Sequence, residues 1–318
     1  MRGAPDVAAS TFRLDIKAAE VHGAFRDAGI RTVLLKGRSI AALLYPEPGT
    51  RPYDDVDLLV DPEALSRAEQ LLRRWDFEVF DPESPARQTD GELGPEVGAQ
   101  GRHSRAWLRS RDTLVVDLHD NLPQIGSDPR QAWKTLEPHL TTLSVGGTDV
   151  EVLDEPATAL LITLHAAHHG EQWRTTATED LERATATFGS GCWASTLALA
   201  RELRAERAMG AGLGFTERGR EIGRQLGIET DPTPALELLW SGAPWSATFV
   251  DAFRNESSQR ARARMAARVL WPSPDAMRRG SALSRRGRRG MAAAYLLRIL
   301  QLGRRLPAAL WHGARPRG

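Results

Sequence analysis

The alternation of apolar and polar positions divides the chain into a front half of mixed elements and a back half of helices. Residues 14–28 (LDIKAAEVHGAFRDA) carry apolar side chains at helical spacing, and Gly29 follows as a stop. The segment 31–36 (RTVLLK) reads as a short buried strand. After Gly37 the run SIAALLY predicts a second helix, closed by the Pro- and Gly-rich loop PEPGTRP at 46–52. A strand is expected at 55–60, a helix near 62–75 and a strand at 77–81. Residues 82–101 are acidic and contain Gly and Pro, which predicts a mobile loop and a candidate lid. Two strands, 103–109 and 113–119, face each other across Ser110-Arg111-Asp112, and a hairpin at 141–153 turns at Gly146-Gly147.

From Asp154-Glu155-Pro156, a helix-start signal, the chain reads as helical near 156–170, 177–187, 193–209 and 215–226. The stretch GAGLGF at 210–215 follows no strand and lacks the spacing of a dinucleotide-binding loop, so it is expected to end a helix. The pattern therefore predicts an α/β domain with a mixed sheet over 1–153, a helical domain over 154–256 and a separate tail over 257–318.

Composition adds less. The chain has 318 residues, 41% hydrophobic and 26% charged, enough for a large core. No apolar run approaches the roughly 20 residues that span a bilayer, the first residues lack a signal-peptide core, and a cytoplasmic protein is expected. Cys192 is the only cysteine, which excludes a disulfide framework and a cysteine-rich zinc site. The net charge of +1 hides an asymmetry: residues 257–318 hold 15 arginines and one acid, Asp275, leaving +14 there and −13 in the first 256 residues.

Candidate chemistry centres on Asp55 and Asp57. Residues two apart on a strand share a face, so both carboxylates lie side by side while Val56 points to the opposite layer. Such a pair repels unless a cation lies between them; the plain alternative is a salt bridge to Arg51 or another arginine. Asp117, on the same strand face as Val115 and His119, adds a third carboxylate. Three carboxylates suit divalent cations of the Mg²⁺ type, and two such ions can clamp an in-line phosphoryl displacement. A calcium loop is excluded, because neither Gly at its sixth position nor Glu at its twelfth is present. Lys36-Gly37 lies where a strand gives way to a helix, a place suited to phosphate; no Walker A pattern occurs. Arg51 is placed to reach a triphosphate or to pair with Asp54.

The stretch LLKGRSIAALLYPEPGTRPYDDVDLLV at 34–60 closely resembles the signature of the uncharacterised nucleotidyltransferase family of the polymerase-β-like superfamily. The shared pattern is a Lys-Gly turn, a helix ending in Tyr-Pro, and Arg before an Asp-x-Asp strand. VVDLH at 115–119 and LHAAHHGEQW at 164–173 resemble downstream blocks of that family. The resemblance implies a nucleotidyltransferase-like mixed sheet and transfer of a nucleoside monophosphate from an NTP, with ATP a candidate donor. Asp55, Asp57 and Asp117 would be the metal carboxylates, with Mg²⁺ or Mn²⁺ as cofactor. Lys36-Gly37 would replace the Gly-Ser turn of better-known nucleotidyltransferases, with Ser39 as the next small hydroxyl and Arg51 as a further nucleotide contact. The acceptor would be a small molecule or peptide. A catalytically inactive binding or regulatory protein on the same fold is the alternative.

His165 and His169 share a helix face, with His168 beside them. A zinc site there would need Glu171 or Asp180 in addition, whereas the resemblance sets the helix against the cleft, its imidazoles on phosphate or acceptor. In the tail, Tyr295, Leu296, Ile299, Leu300 and Leu302 alternate with arginines as in a basic amphipathic helix. An anionic partner is expected for it: lipid, RNA, an acidic protein or the acidic first 256 residues.

Overall fold

The computed structural model describes residues 4–47, 49–80, 103–170, 176–240, 253, 259–272, 274, 277, 281 and 283–312. The expected loop at 82–101 lies outside them. The described residues as far as Pro232 make one compact unit, and those from Thr233 onwards make a second.

The first unit is built on a seven-stranded mixed sheet. Its strands are Thr32–Leu34 (β1), Asp55–Val60 (β2), Phe77–Val79 (β3), Ser104–Arg109 (β4), Leu114–His119 (β5), Leu140–Val145 (β6) and Thr148–Leu153 (β7). They lie in the order β3-β4-β5-β2-β1-β7-β6. β2 runs parallel to β5 and antiparallel to β1, and β1 runs parallel to β7. The pairs β3/β4, β4/β5 and β6/β7 are antiparallel, as hairpin connections require.

The sheet is buried on both faces, which explains why its central strands read as almost continuous apolar runs. One face carries Leu34, Val56, Leu58, Val60, Val116 and Leu118 into a core shared with Ala4–Asp27 (α1) and Leu65–Arg74 (α3). The other carries Val33, Leu35, Leu59 and Leu153 into a second core. There they meet Arg38–Leu44 (α2), Pro129–Leu136 (α4), Glu155–His169 (α5), Thr176–Thr187 (α6) and Ser190–Glu202 (α7). Glu206–Leu213 (α8) and Glu217–Leu226 (α9) complete that layer. Helix α5 is buried from Ala157 through Leu164, so it is apolar all round rather than striped.

Three local expectations need correction. The single helix expected at 193–209 is two, α7 and α8, with Arg204 between them at φ 56°. The carbonyl of Leu203 accepts the backbone N–H groups of Gly126 and Ser127, so a neighbouring loop takes the place of a continuing helical turn. The stretch 210–215 is not a terminating loop at its start: Gly210 to Leu213 are the last turn of α8. A Cβ at Gly212 would lie 2.0 Å from the Thr163 carbonyl, so this glycine lets α8 meet the α5 backbone. Helix α4 was not expected, although Asp128 caps it by accepting the Gln131 N–H and Pro129 opens it.

The second unit contains Pro234–Trp240 (α10), Gln259–Leu270 (α11), a 3₁₀ turn at Leu283–Arg285 and the long helix Gly287–His312 (α12). Among the described residues no strand follows Leu153, and no helix is long and apolar enough to cross a membrane.

Candidate active site

β2 places Asp55, Asp57 and Leu59 on the helix-covered face opposite Val56, Leu58 and Val60. The parallel register with β5 sets Asp57 directly beside Asp117 and Leu59 beside His119. β1 feeds the same place from the other side, where the Leu35 N–H donates to the Asp57 carbonyl, and the next residue is Lys36. Three strands thus deliver their functional groups to one point.

The Lys36 ammonium lies 2.6 Å from Asp57 Oδ1. His119 Nε2 is 3.0 Å from that same oxygen and 3.3 Å from Asp117 Oδ2. Asp57 is 3% exposed, yet its carboxyl is held well below the usual range: burial would raise it, but Lys36 and His119 outweigh burial. Asp55 goes the other way, up to about 7, because the Asp57 charge faces it and burial adds to the cost of ionising it. His119 is buried, which disfavours its charge, but Asp117 and Asp57 drive it up to about 9. Two adjacent carboxylates therefore titrate far apart, as expected where like charges share a desolvated site.

One ligand atom from each of Asp57, Asp117 and His119 lies within 4.8 Å of the others. Asp117 Oδ1 is buried with no hydrogen-bond partner, and so is His119 Nδ1. Buried polar atoms are nearly always paired, and an orphaned carboxylate oxygen beside two other donors fits a cation. Asp55, at the open end of β2, stands next to this group rather than within it.

Gly37 adopts φ 64° and ψ −118°, a conformation that Cβ-bearing residues avoid. A Cβ there would also lie 3.2 Å from the Tyr53 ring, whose hydroxyl donates to Asp15. The turn is thus braced by an aromatic side chain that pattern reading did not single out. The Ser39 hydroxyl bonds to the Leu35 and Lys36 carbonyls, which ties it to the turn. Arg51 is placed apart from Asp54: its Nε and Nη2 bond to both oxygens of Asp180 at 2.8 and 2.7 Å. Tyr45 donates to Asp180 as well.

The histidines gather on the same side. His119, His103, His168, His169 and His165 form a row with successive ring centroids 5.4, 5.1, 5.0 and 4.5 Å apart. Burial, then the Lys36 charge, hold His165 well below its usual value and bring His168 to about 4. Burial, then His168, do the same for His169, also to about 4. Gln124 hydrogen-bonds His168 Nδ1 at 3.1 Å. His103 and Gln124 had no sequence signal of their own. His119 did, through its place two residues after Asp117. Glu171 lies outside the described residues, and Asp180 is committed to Arg51 and Tyr45 rather than to the histidines.

The chain is similar to solved structures of nucleotidyltransferases. The solution structure of the antibiotic-resistance factor ANT(2'')-Ia matches at TM-score 0.41 and 16% identity, over 61% of this chain and 92% of that one. The crystal structure of ANT(2'')-Ia with adenylyl-2''-tobramycin matches at TM-score 0.40 and 16% identity, over 57% and 93%. An antigenic nucleotidyltransferase-like protein from Paracoccidioides brasiliensis matches at TM-score 0.40 and 16% identity, over 72% and 96%. No curated protein matches the chain. The family model described as uncharacterised nucleotidyltransferase matches residues 6–218, a span that holds every element of the site, and the chain belongs to that family.

Proposed function

We propose that the protein transfers a nucleoside monophosphate from an NTP to a small-molecule or peptide acceptor, with Mg²⁺ or Mn²⁺ as cofactor. The observation that carries this reading is the in-register pair Asp57 and Asp117, bridged by His119 and faced by Lys36. Asp57 and Asp117 would hold the cation, joined by His119 once it has given up its proton and by Asp55 from the open end of β2. When bound, the cation supplies charge neutralisation and polarisation of the phosphoryl oxygens.

The chain's own groups do the rest. Lys36, which lies against Asp57 at the turn held by Gly37 and Ser39, offers its charge to the triphosphate. The acceptor oxygen attacks the α-phosphorus in line, a new P–O bond forms, and the bond to the β-phosphate breaks to release pyrophosphate. The acceptor proton passes to Asp117. The neutral imidazoles of His165 and His169 contact phosphate or acceptor as hydrogen-bonding groups rather than as fixed charges. Arg51 acts on the nucleotide site indirectly, by holding the chain that enters β2. A nucleotide-consuming reaction suits a cytoplasmic location, and the Arg-rich tail meets an anionic partner.

The test incubates the protein with Mg²⁺, each α-phosphate-labelled NTP and a small-molecule extract. A labelled product that forms with the wild type and not with Asp117→Asn supports transfer. NTP binding without product from any nucleotide overturns it in favour of a non-catalytic binding protein.

A further inference from the structure

Helix α12 turns its leucines outwards. Leu296 is 61% and Leu300 56% exposed, and Leu297 and Ile299 are exposed as well. The inward face is Gly290, Ala294 and Arg298, each one helical turn after the last. Several contacts within the second unit fix this rotation. A Cβ at Gly290 would lie 2.1 Å from the Leu283 carbonyl, and the Tyr295 hydroxyl donates to the Pro272 carbonyl at 2.5 Å. Trp271, next to Pro272, is itself 64% exposed. A helix in water normally does the reverse, burying its leucines and exposing its arginine. The apolar stripe is built to be covered.

Its flanks identify the cover. Arg286, Arg288 and Arg289 are exposed at the N-terminal end, where cations oppose the helix dipole and the first turn carries no acid. Arg304 and Arg305 follow about 22 Å further along the helix, at 1.5 Å per residue. Over 257–318 the only acid is Asp275, so a second copy of this helix would bring like charge against like. RNA would satisfy the arginines but would leave an aliphatic stripe without aromatic platforms for stacking. Lipid satisfies both: acyl chains take the leucines and phosphate headgroups take the arginines.

We propose that α12 lies in the plane of an anionic lipid surface, with Leu296, Leu297, Ile299 and Leu300 in the acyl boundary and Arg286, Arg288 and Arg289 on headgroup phosphates. The helix lies on the bilayer rather than across it, because its arginines and Pro307 interrupt the apolar length that a span needs. This assignment is independent of the nucleotide site. It gives the protein a membrane address, which would bring transfer to acceptors at that surface.

The full chain is sedimented with vesicles of phosphatidylglycerol and phosphatidylcholine, and with vesicles of phosphatidylcholine alone. Binding to the anionic vesicles that weakens with salt is expected. Leu296→Glu/Leu300→Glu should weaken it about tenfold or more, and Arg288→Gln/Arg289→Gln about 30-fold. Circular dichroism of both variants checks that the helix persists. Equal binding to neutral vesicles, no binding to either, or a wild-type dimer that the leucine variant dissociates would each overturn the proposal. So would RNA binding in place of vesicle binding.

Discussion

The Asp57→Asn variant is expected to lose Mn²⁺ affinity by about a hundredfold or more and still to fold. Both Lys36 and His119 touch Asp57, and its register partner is Asp117. Removing its charge takes away the anion on which the proposed cation site is centred. Truncating one partner of a buried charge pair costs on the order of 2–5 kcal/mol, and each 1.4 kcal/mol is tenfold in affinity. The fold survives because Lys36 is not left alone. Asp55 and Asp117 also favour its charge, and the neutral amide relieves the repulsion that raises Asp55. Electron paramagnetic resonance of free Mn²⁺ reads the affinity, and thermal denaturation reads the fold. Unchanged Mn²⁺ binding in a folded variant would move the cation site elsewhere.

Arg51→Ala is expected to cost about 3–5 kcal/mol of stability, the largest single effect on folding that the site supports. Arg51 is 4% exposed and Asp180 2%, and the pair is bidentate. Among the described residues, alanine leaves buried Asp180 with the Tyr45 hydroxyl alone as a side-chain partner. Asp180→Asn should cost less, because an amide still accepts one of the two bonds. The combined variant Arg51→Ala/Asp180→Asn should be less destabilised than the sum, since no charge then remains buried. Denaturant unfolding of the three proteins measures this coupling. Additive losses would show that Arg51 and Asp180 act separately.

Much of this geometry was legible in the chain. Asp55, Asp57 and Asp117 stand out because aspartate is depleted in strands, and period-two alternation puts the first two on one face. Their neighbour across the sheet was not legible, since strand order depends on long-range pairing that alternation does not encode. Without it, His119 reads as a companion of Asp117, whereas β2 beside β5 also brings it to Asp57. Arg51 shows the same limit. Its local partners in the sequence are Asp54 and a hypothetical phosphate, but its actual partner is Asp180, 129 residues away. The Tyr-Pro and Arg features of the family pattern thereby acquire a common explanation, because Tyr45 and Arg51 converge on that one carboxylate.

The helical half was readable as helices but not as packing. Asp154 ahead of Pro156 and Asp128 ahead of Pro129 carry similar start signals, yet only the first was followed by an apolar run long enough to notice. The glycines at 210 and 212 look like a breaker in one dimension. In three they serve close approach, since each faces a backbone carbonyl at 2.0 Å from its missing Cβ. The tail gave its amphipathic character to the sequence, and only the fold revealed that the leucines face outwards.

The central claim is that the carboxylates of β2 and β5 hold a divalent cation for an NTP. Isothermal titration of the protein with non-hydrolysable NTPs, with and without Mg²⁺, tests it beside the Asp55→Asn/Asp57→Asn variant. Binding that requires Mg²⁺ and disappears in the variant is the predicted result. Nucleotide binding that is indifferent to Mg²⁺ and to both substitutions would contradict it.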